Sequence, residues 1–307
     1  MGSYALRRLA GMLPTLFVII TVAFFLIRIA PGGPFDIERT LPAEIEANIK
    51  AAYNLDKPLV VQYVNYLGGV VTGDFGPSYK YNDFTVAELI SAGFPVSLKL
   101  GASALAVALF LGLVLGTVAA LRQNSALDHV VMTLAMTGIA LPNFVVAPLL
   151  ALLFGVYLSL LPVAGWSDGG IADMVLPVTA MALPYVAYIA RLTRGSMIEV
   201  LRSNFVRTAR AKGLPLRRVL LRHALPAALL PVISFLGPAT AGILTGSVVI
   251  EEIFQIPGMG RYFVQGALNR DYTLVMGVVI FYAVLIMTLN LLVDLVYAAL
   301  DPKVRLK

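Results

Sequence analysis

The chain has no cysteine, one tryptophan, two histidines and little charge of either sign. Without cysteine it forms neither disulfide bonds nor thiolate metal sites. The histidines, His129 and His223, lie far apart in the sequence and do not by themselves make a metal site. Charged residues are 13% of 307, whereas a soluble protein of this size carries about 25%.

Motifs for nucleotide binding and catalysis are also missing. No G-x-x-x-x-G-K-[ST] occurs, so the chain carries no Walker-type ATP site. The absence of Gly-x-Ser-Gly argues against an intramembrane serine protease. Its apolar runs hold neither a nucleophile–base pair nor an array of ionisable groups suited to proton relay. The sequence therefore predicts a non-enzymatic protein without a cofactor of its own.

Apolar residues, in contrast, make up 59% of the chain, and the mean hydropathy is +0.86. They form six runs that each reach the roughly 20 residues needed to cross a bilayer as a helix. We therefore predict an all-α polytopic membrane protein with six transmembrane helices. The predicted spans are 9–29, then a five-helix core within 96–299 with runs at 96–121, 130–158, 174–193, 227–250 and 273–299.

Nine basic residues crowd one stretch of this apolar chain, and only Glu199 opposes them. A Lys or Arg at the bilayer centre costs about 2.5–3.5 kcal/mol on insertion scales, so nine together predict a loop in water. Positive charge places such a loop on the cytoplasmic side. The net charge of +6 is explained by cytoplasmic loops near anionic lipid, without nucleic acid. The nine residues are Arg191, Arg194, Arg202, Arg207, Arg210, Lys212, Arg217, Arg218 and Arg222.

The remaining polar segments agree with this orientation. Arg7 and Arg8 precede a first run too long for a signal-peptide core and without an A-x-A cleavage site, which predicts a retained helix. Residues 30–95 hold more acids than bases and are predicted to be an extracytoplasmic insertion with helices after Pro42 and Pro58. The termini, residues 1–8 and 300–307, are then both cytoplasmic.

Small residues and prolines recur in the predicted spans. Gly112 and Gly116 form a Gly-x-x-x-Gly pair that permits close helix packing, either within one subunit or between subunits. The prolines within spans, which predict bent helices, are Pro142, Pro148, Pro177 and Pro184. No internal duplication is visible, which argues against an inverted-repeat secondary transporter.

The Arg-rich loop has internal order. A short helix through Arg207–Lys212 is predicted to end at Gly213, which suits a C-cap, and Leu225-Pro226 begins the next span. Charge alone leaves two interpretations open, a solvated positive loop and a docking element.

The spacing resembles the EAA loop of permease subunits of ABC importers, which reads Glu-Ala-Ala, three residues, Gly, nine residues, Ile-x-Leu-Pro. The positions that match in register are Ala209, Gly213, Leu225 and Pro226. The chain departs from the pattern at the acid, the second position and the isoleucine, which are Arg207, Thr208 and His223. The form Arg-Thr-Ala-Arg-Ala-Lys-Gly is similar to the oligopeptide and dipeptide branch of these permeases.

The resemblance extends over nearly the whole chain. The segments similar to that branch are Arg28–Pro34, Gly73–Ser78, Glu251, Pro257–Gly260, Asn269–Tyr272, Tyr297 and Asp301–Lys303. Each motif is short, and it is the combination that is specific.

The resemblance implies the type I permease fold of ABC importers, with a helical extracytoplasmic insertion between helices 1 and 2. It implies one half of a heterodimeric channel in a bacterial cytoplasmic membrane. The implied partners are a second permease subunit, two ATPase subunits that hold ATP and Mg²⁺, an extracytoplasmic peptide-binding protein, the peptide and membrane lipid. A coupling loop at 194–226 would contact an ATPase through Phe205, Arg207, Thr208, Ala209, Arg210, Ala211, Lys212, Gly213, Leu225 and Pro226.

Other functions stay open at this point. A permease for dipeptides, nickel or another solute would share the same family pattern. A secondary transporter would work without ATPase partners and respond to a pH gradient. A structural or lipid-binding protein would leave transport unaffected when Gly213 is changed.

Overall fold

A computed structural model of the chain describes residues 2–29, 54–81 and 83–300. Within these ranges the regular secondary structure is helical, apart from one β-bridge between Pro77 and Thr85, and turns and loops connect the helices. The predicted helix after Pro42 and the predicted tail at 301–307 lie outside the described residues. The longer helices are α1 (Gly2–Ile29), α2 (Leu59–Thr72), α3 (Val86–Leu121), α4 (Ala126–Ala140), α5 (Asn143–Leu150), α6 (Ile171–Leu201), α7 (Asn204–Ala211), α8 (Leu230–Ile253), α9 (Met259–Leu268) and α10 (Tyr272–Leu300). Shorter pieces are the π-helical Ala151–Tyr157 and Val219–Ala224 and the turns Leu216–Arg218 and Leu225–Ala228.

Five of these helices are long and apolar enough to cross a membrane: α1, α3, α6, α8 and α10. A sixth span arises when α4 is joined to α5 and its π-helical continuation, a pair bent by 103°. When the bent pair is counted as one span, the prediction of an all-α membrane protein with six spans is confirmed. The predicted helix after Pro58 is also present, as α2.

The chain forms two compact units. Counting only the described residues within these bounds, unit 1 comprises Met1–Leu6, Ser97–Ile256 and Ile286–Lys307, and unit 2 comprises Arg7–Val96 and Pro257–Leu285. Unit 1 holds a cluster of buried side chains around Met197 and Val219. Unit 2 holds an aromatic and aliphatic cluster around Phe24 and Met276.

Helix α3 begins ten residues before the predicted boundary at residue 96. A capping box sets its start: the Thr85 N–H donates to the Glu88 carboxylate at 2.7 Å, and the Glu88 N–H donates to the Thr85 hydroxyl at 3.3 Å. The predicted boundary followed the start of the apolar run, whereas the helix begins earlier and contains Pro95. The first helix likewise begins at Gly2, before the predicted residue 9.

The predicted span 130–158 is divided at Leu141 and Pro142. Leu141 has an extended backbone, with φ −88° and ψ 119°. Proline disfavours helical geometry in the residue before it and offers no N–H of its own, so α4 ends here. Pro142 then occupies the N-cap position of α5.

Helix α6 runs from Ile171 to Leu201 through two prolines, Pro177 and Pro184. Its 31 residues extend about 46 Å, longer than the roughly 30 Å hydrocarbon core. Arg191 and Arg194 lie within this helix and not in a loop, so the predicted loop was wrong for this part, while its location in water stays a prediction.

The Gly-x-x-x-Gly pair packs against α6 within unit 1. A Cβ placed on Gly112 would lie 2.7 Å from the Ile189 side chain, and one on Gly116 would lie 2.5 Å from the Ala190 carbonyl oxygen. The glycines allow α3 and α6 to approach closely, which is the within-subunit interpretation of the motif.

Candidate docking site on helix α7

Helix α7 is a short rigid element with defined ends. At its start, Arg202 and Ser203 turn the chain out of α6 through N–H bonds to Glu199 and Val200 carbonyls, at 3.1 and 3.0 Å. At its end, the Gly213 N–H donates to the Arg210 carbonyl at 2.9 Å and the Leu214 N–H to the Ala209 carbonyl at 3.4 Å. This pattern is a Schellman cap, and Gly213 has the positive φ it requires, +72°.

One face of α7 packs against the rest of unit 1 and holds the helix in place. Val206 and Ala209 are buried in the cluster that also contains Met197, Val219 and Ala224. Leu214, just after the Schellman cap, packs against the same cluster. Because hydrophobic burial holds both the helix and its cap, α7 is tied to the end of α6 and to the segment before α8.

The opposite face of α7 is exposed and basic. Phe205 is 48% exposed, and Arg207, Thr208 and Arg210 are exposed as well. Ala211, Lys212 and Gly213 continue that surface past the helix end. In the part of the chain described by the structure, Arg207, Arg210 and Lys212 form no salt bridge. An exposed aromatic ring among unpaired cations is a suitable surface for an acidic protein partner.

Three predicted coupling residues lie elsewhere. Ala209 is buried beneath the helix, and Leu225 is half-buried and packs against the same cluster. Pro226 is exposed, in the helical turn Leu225–Ala228 that precedes α8. The structure therefore divides the predicted set into an exposed surface on α7 and residues that support it.

A buried ion pair supports α6 near this site. Asp128, at the start of α4, lies 2.6 Å from Arg194 of α6 and is 1% exposed. Sequence reasoning missed Asp128, although the Ser125–Asp128 spacing fits a helix start: the Ser125 hydroxyl accepts a bond from the Asp128 N–H at 3.3 Å.

A second polar centre lies in unit 2 and connects two of the permease-like segments, Gly73–Ser78 and Asn269–Tyr272. The Asp271 carboxylate is buried and accepts bonds from the Ser78 hydroxyl and from the Tyr79 and Lys80 N–H groups, the latter two at 2.9 and 3.1 Å. Its other oxygen accepts bonds from the Leu274 N–H and the Thr273 hydroxyl, both at 3.0 Å. Asp271 thus caps α10 and fixes the turn after Gly73.

Metal binding finds little support in the described ranges. No group of three or more His, Asp or Glu side chains there lies close enough to hold a metal ion.

The chain is similar to known proteins over nearly its whole length. Residues 112–306 match the family described as binding-protein-dependent transport system inner membrane component, and residues 1–101 match the corresponding N-terminal family. The oligopeptide transport system permease protein OppB of Escherichia coli (strain K12) is 55% identical over 305 residues, covering 99% of this chain and 100% of that protein. The protein of the same name from Haemophilus influenzae is 54% identical with the same coverage.

Two further similarities extend the comparison. The dipeptide transport system permease protein DppB of Bacillus subtilis (strain 168) is 47% identical, covering 100% of this chain and 99% of that protein. A chain of the crystal structure of an amino acid ABC transporter with histidines aligns with a TM-score of 0.52, covering 69% of this chain and 94% of that one. At 20% identity this likeness shows the fold alone.

The helices and the matches together define a multi-pass membrane protein of the transport-permease class. The chain belongs to the family of binding-protein-dependent transport system inner membrane components.

Proposed function

We propose that the chain is the permease subunit of an ATP-driven, binding-protein-dependent oligopeptide importer. The observation that carries the proposal is the full-length relationship to proteins named as oligopeptide permeases, at 55% identity over 99% of the chain. A dipeptide permease is the second candidate, since such a relative is 47% identical over the full chain. The higher identity favours oligopeptides.

In this proposal the chain forms half of a channel, and a second permease subunit forms the other half. Two ATPase subunits hold ATP and Mg²⁺, and an extracytoplasmic binding protein delivers the peptide. The chain's own residues contribute a membrane path and a docking surface and perform no covalent chemistry.

The proposed orientation places α7 and both termini in the cytoplasm and residues 30–95 outside. Its support is the excess of Lys and Arg around α7 and of acids in 30–95. Because the chain has no native cysteine, single-cysteine probes report cleanly. A probe at Asp56→Cys is expected to label only from the extracytoplasmic side, and labelling only from the cytoplasm would reverse the topology.

Coupling in this proposal passes through α7. An ATPase that closes on ATP shifts the permease only if its contact with α7 has a different free energy in the two permease states. The buried anchor of Val206 and Ala209 supports this role, because a displacement of α7 is carried into α6.

The test of function is peptide uptake into proteoliposomes that hold this chain, the second permease subunit and both ATPases. We expect uptake of a four-residue peptide that requires both internal ATP and the binding protein. A dipeptide that competes better than the four-residue peptide would favour the second candidate. Uptake driven by a pH gradient without the ATPases would refute the ATP-driven proposal.

The test of the docking surface compares two neighbouring residues. Phe205→Ala removes an exposed ring, so membrane abundance should stay near wild type while ATPase copurification falls about tenfold. Val206→Asp places a charge in the buried anchor, so abundance itself should fall. If Phe205→Ala retains normal copurification and uptake, α7 does not dock the ATPase through this face.

A further inference from the structure

A cavity of about 280 Å³ in unit 2 brings together residues from sequence segments that lie far apart. Arg28 from the end of α1, Tyr66 from α2 and Asp74 from the turn after α2 all line it. Neutral polar groups, Asn54 and Asn65, complete much of the remaining polar lining.

Arg28 is held in place but keeps donors available. Its guanidinium stacks 3.7 Å from the centroid of the Phe24 ring, and its Nε donates to the Gln62 amide oxygen at 3.1 Å. One terminal nitrogen faces the Met276 sulfur at 3.9 Å. Among the described residues no carboxylate lies within ion-pair distance of Arg28. A guanidinium has five N–H donors, so this cation is oriented and still able to bind an anion bidentately.

Tyr66 offers a second donor in the same cavity. Its hydroxyl is buried and has no hydrogen-bond partner in the described part of the chain. Burial raises the pKa of the Tyr66 phenol, so the group keeps its proton and remains a donor. A buried polar group without a partner is uncommon in proteins and indicates a missing acceptor.

The depth of Arg28 identifies the source of that acceptor. Arg8 and Arg28 are twenty residues apart on α1, about 30 Å along a helix, which equals the thickness of the hydrocarbon core. Arg28 therefore lies at the level of lipid headgroups, whichever face of the membrane it meets.

We propose that this cavity binds the headgroup of a phospholipid, with its phosphate held by Arg28 and Tyr66. Asp74 is the negative group of the cavity, and its carboxylate already accepts a bond from the Gly76 N–H at 2.9 Å. It offers an acceptor to the ammonium of an ethanolamine headgroup, which makes phosphatidylethanolamine the suitable probe.

The test is a titration of the delipidated full chain with phosphatidylethanolamine, followed by native mass spectrometry. Arg28→Gln is expected to weaken the tightest binding event at least tenfold, because charge-assisted bonds to phosphate are lost. Tyr66→Phe keeps the ring and should weaken it about 2- to 10-fold. Diacylglycerol, which lacks the phosphate, should not occupy the site, and millimolar inorganic phosphate should not displace the lipid.

Two matched controls separate the site from general effects. Arg8→Gln removes a cation from the other end of the same helix and should change lipid affinity less than twofold. Tyr63→Phe removes a hydroxyl that contacts Thr21 at 2.6 Å in the same aromatic cluster without lining the cavity, and it should also be neutral.

Several outcomes would overturn the proposal. Equal affinities for wild type, Arg28→Gln and Tyr66→Phe would do so, as would equal binding of diacylglycerol. Displacement by inorganic phosphate would assign the cavity to a free anion. If Arg28→Gln does not accumulate in the membrane, Tyr66→Phe alone decides, since that change removes one oxygen atom.

Discussion

The guanidinium of Arg194 donates two parallel hydrogen bonds to the carboxylate of Asp128, Nε to Oδ1 at 2.6 Å and Nη2 to Oδ2 at 2.7 Å. Asp128 is 1% exposed and Arg194 26% exposed. The Asn124 N–H also donates to Oδ2, at 2.9 Å. This geometry fixes the start of α4 to the part of α6 that continues toward α7.

Removing one partner of this pair should be more harmful than removing both. Arg194→Ala leaves a buried carboxylate without its cation, which costs about 3–5 kcal/mol. The double variant Asp128→Ala/Arg194→Ala removes that unpaired charge and should recover part of the loss. Thermal unfolding of the purified protein in detergent measures both effects. A double variant that is less stable than Arg194→Ala would contradict the expectation.

Substitutions at Gly213 should act through the positive φ of its backbone and not through steric contacts with neighbours. A Cβ there would meet nothing within 4 Å, so Gly213→Val acts only through its positive φ, at about 1–3 kcal/mol. We expect membrane abundance near wild type, strongly reduced peptide uptake and weaker ATPase copurification, because the end of α7 is re-aimed. Gly213→Asn is the matched control, since asparagine adopts this conformation more readily. Normal uptake by Gly213→Val at normal abundance would remove α7 from the coupling path.

Gly116 should show the opposite behaviour. A Cβ at Gly116 would lie 2.5 Å from the Ala190 carbonyl oxygen and 2.7 Å from the Thr193 Cβ, so Gly116→Ala forces α3 and α6 apart. Overpacking of this kind costs about 1–3 kcal/mol and should lower thermal stability. Gly195, on α6, has nothing within 4 Å of such a Cβ, so Gly195→Ala should be neutral or stabilising by up to about 1 kcal/mol. Similar unfolding temperatures for the two alanine variants would contradict this packing.

Asp271→Asn should destabilise unit 2 although it barely changes size. The amide has a single acceptor oxygen, so its NH₂ group would face N–H donors such as those of Tyr79 and Lys80. Each buried donor left unsatisfied costs about 1–3 kcal/mol. Limited proteolysis after Gly73 should become faster. Asp56→Asn, at an exposed carboxylate, is the control, and equal proteolysis of both variants would argue against the role of Asp271.

The spans and helix α7 could be predicted because their signals are local. Apolar runs of membrane-spanning length predict helices without knowledge of their neighbours. The spacing from Arg207 to Gly213 likewise predicts a short helix with a glycine cap, and α7 ends one residue before the predicted Lys212.

Other features depend on contacts that local patterns do not contain. The start of α3 is set by the Thr85–Glu88 capping box, which hydropathy does not register. The cavity of Arg28, Tyr66 and Asp74 and the bonds from Asp271 to the turn after Gly73 join residues from distant segments. Several of these residues lie in the segments that resemble peptide permeases, but only the fold shows that they are close together.

The exposed position of Arg207 has a consequence for the ATPase partner proposed above. The EAA pattern carries an acid where this chain has Arg207, and that side chain lies on the accessible face of α7, away from Val206 and Ala209. The change from a negative to a positive charge therefore leaves the fold of the helix intact and alters only the charge of its exposed surface. An ATPase matched to this permease is expected to place carboxylates opposite Arg207 and Arg210. ATPases from importers with the acidic pattern should then pair poorly with it, so charge at this one helix would keep parallel transport systems in the same membrane from exchanging their subunits.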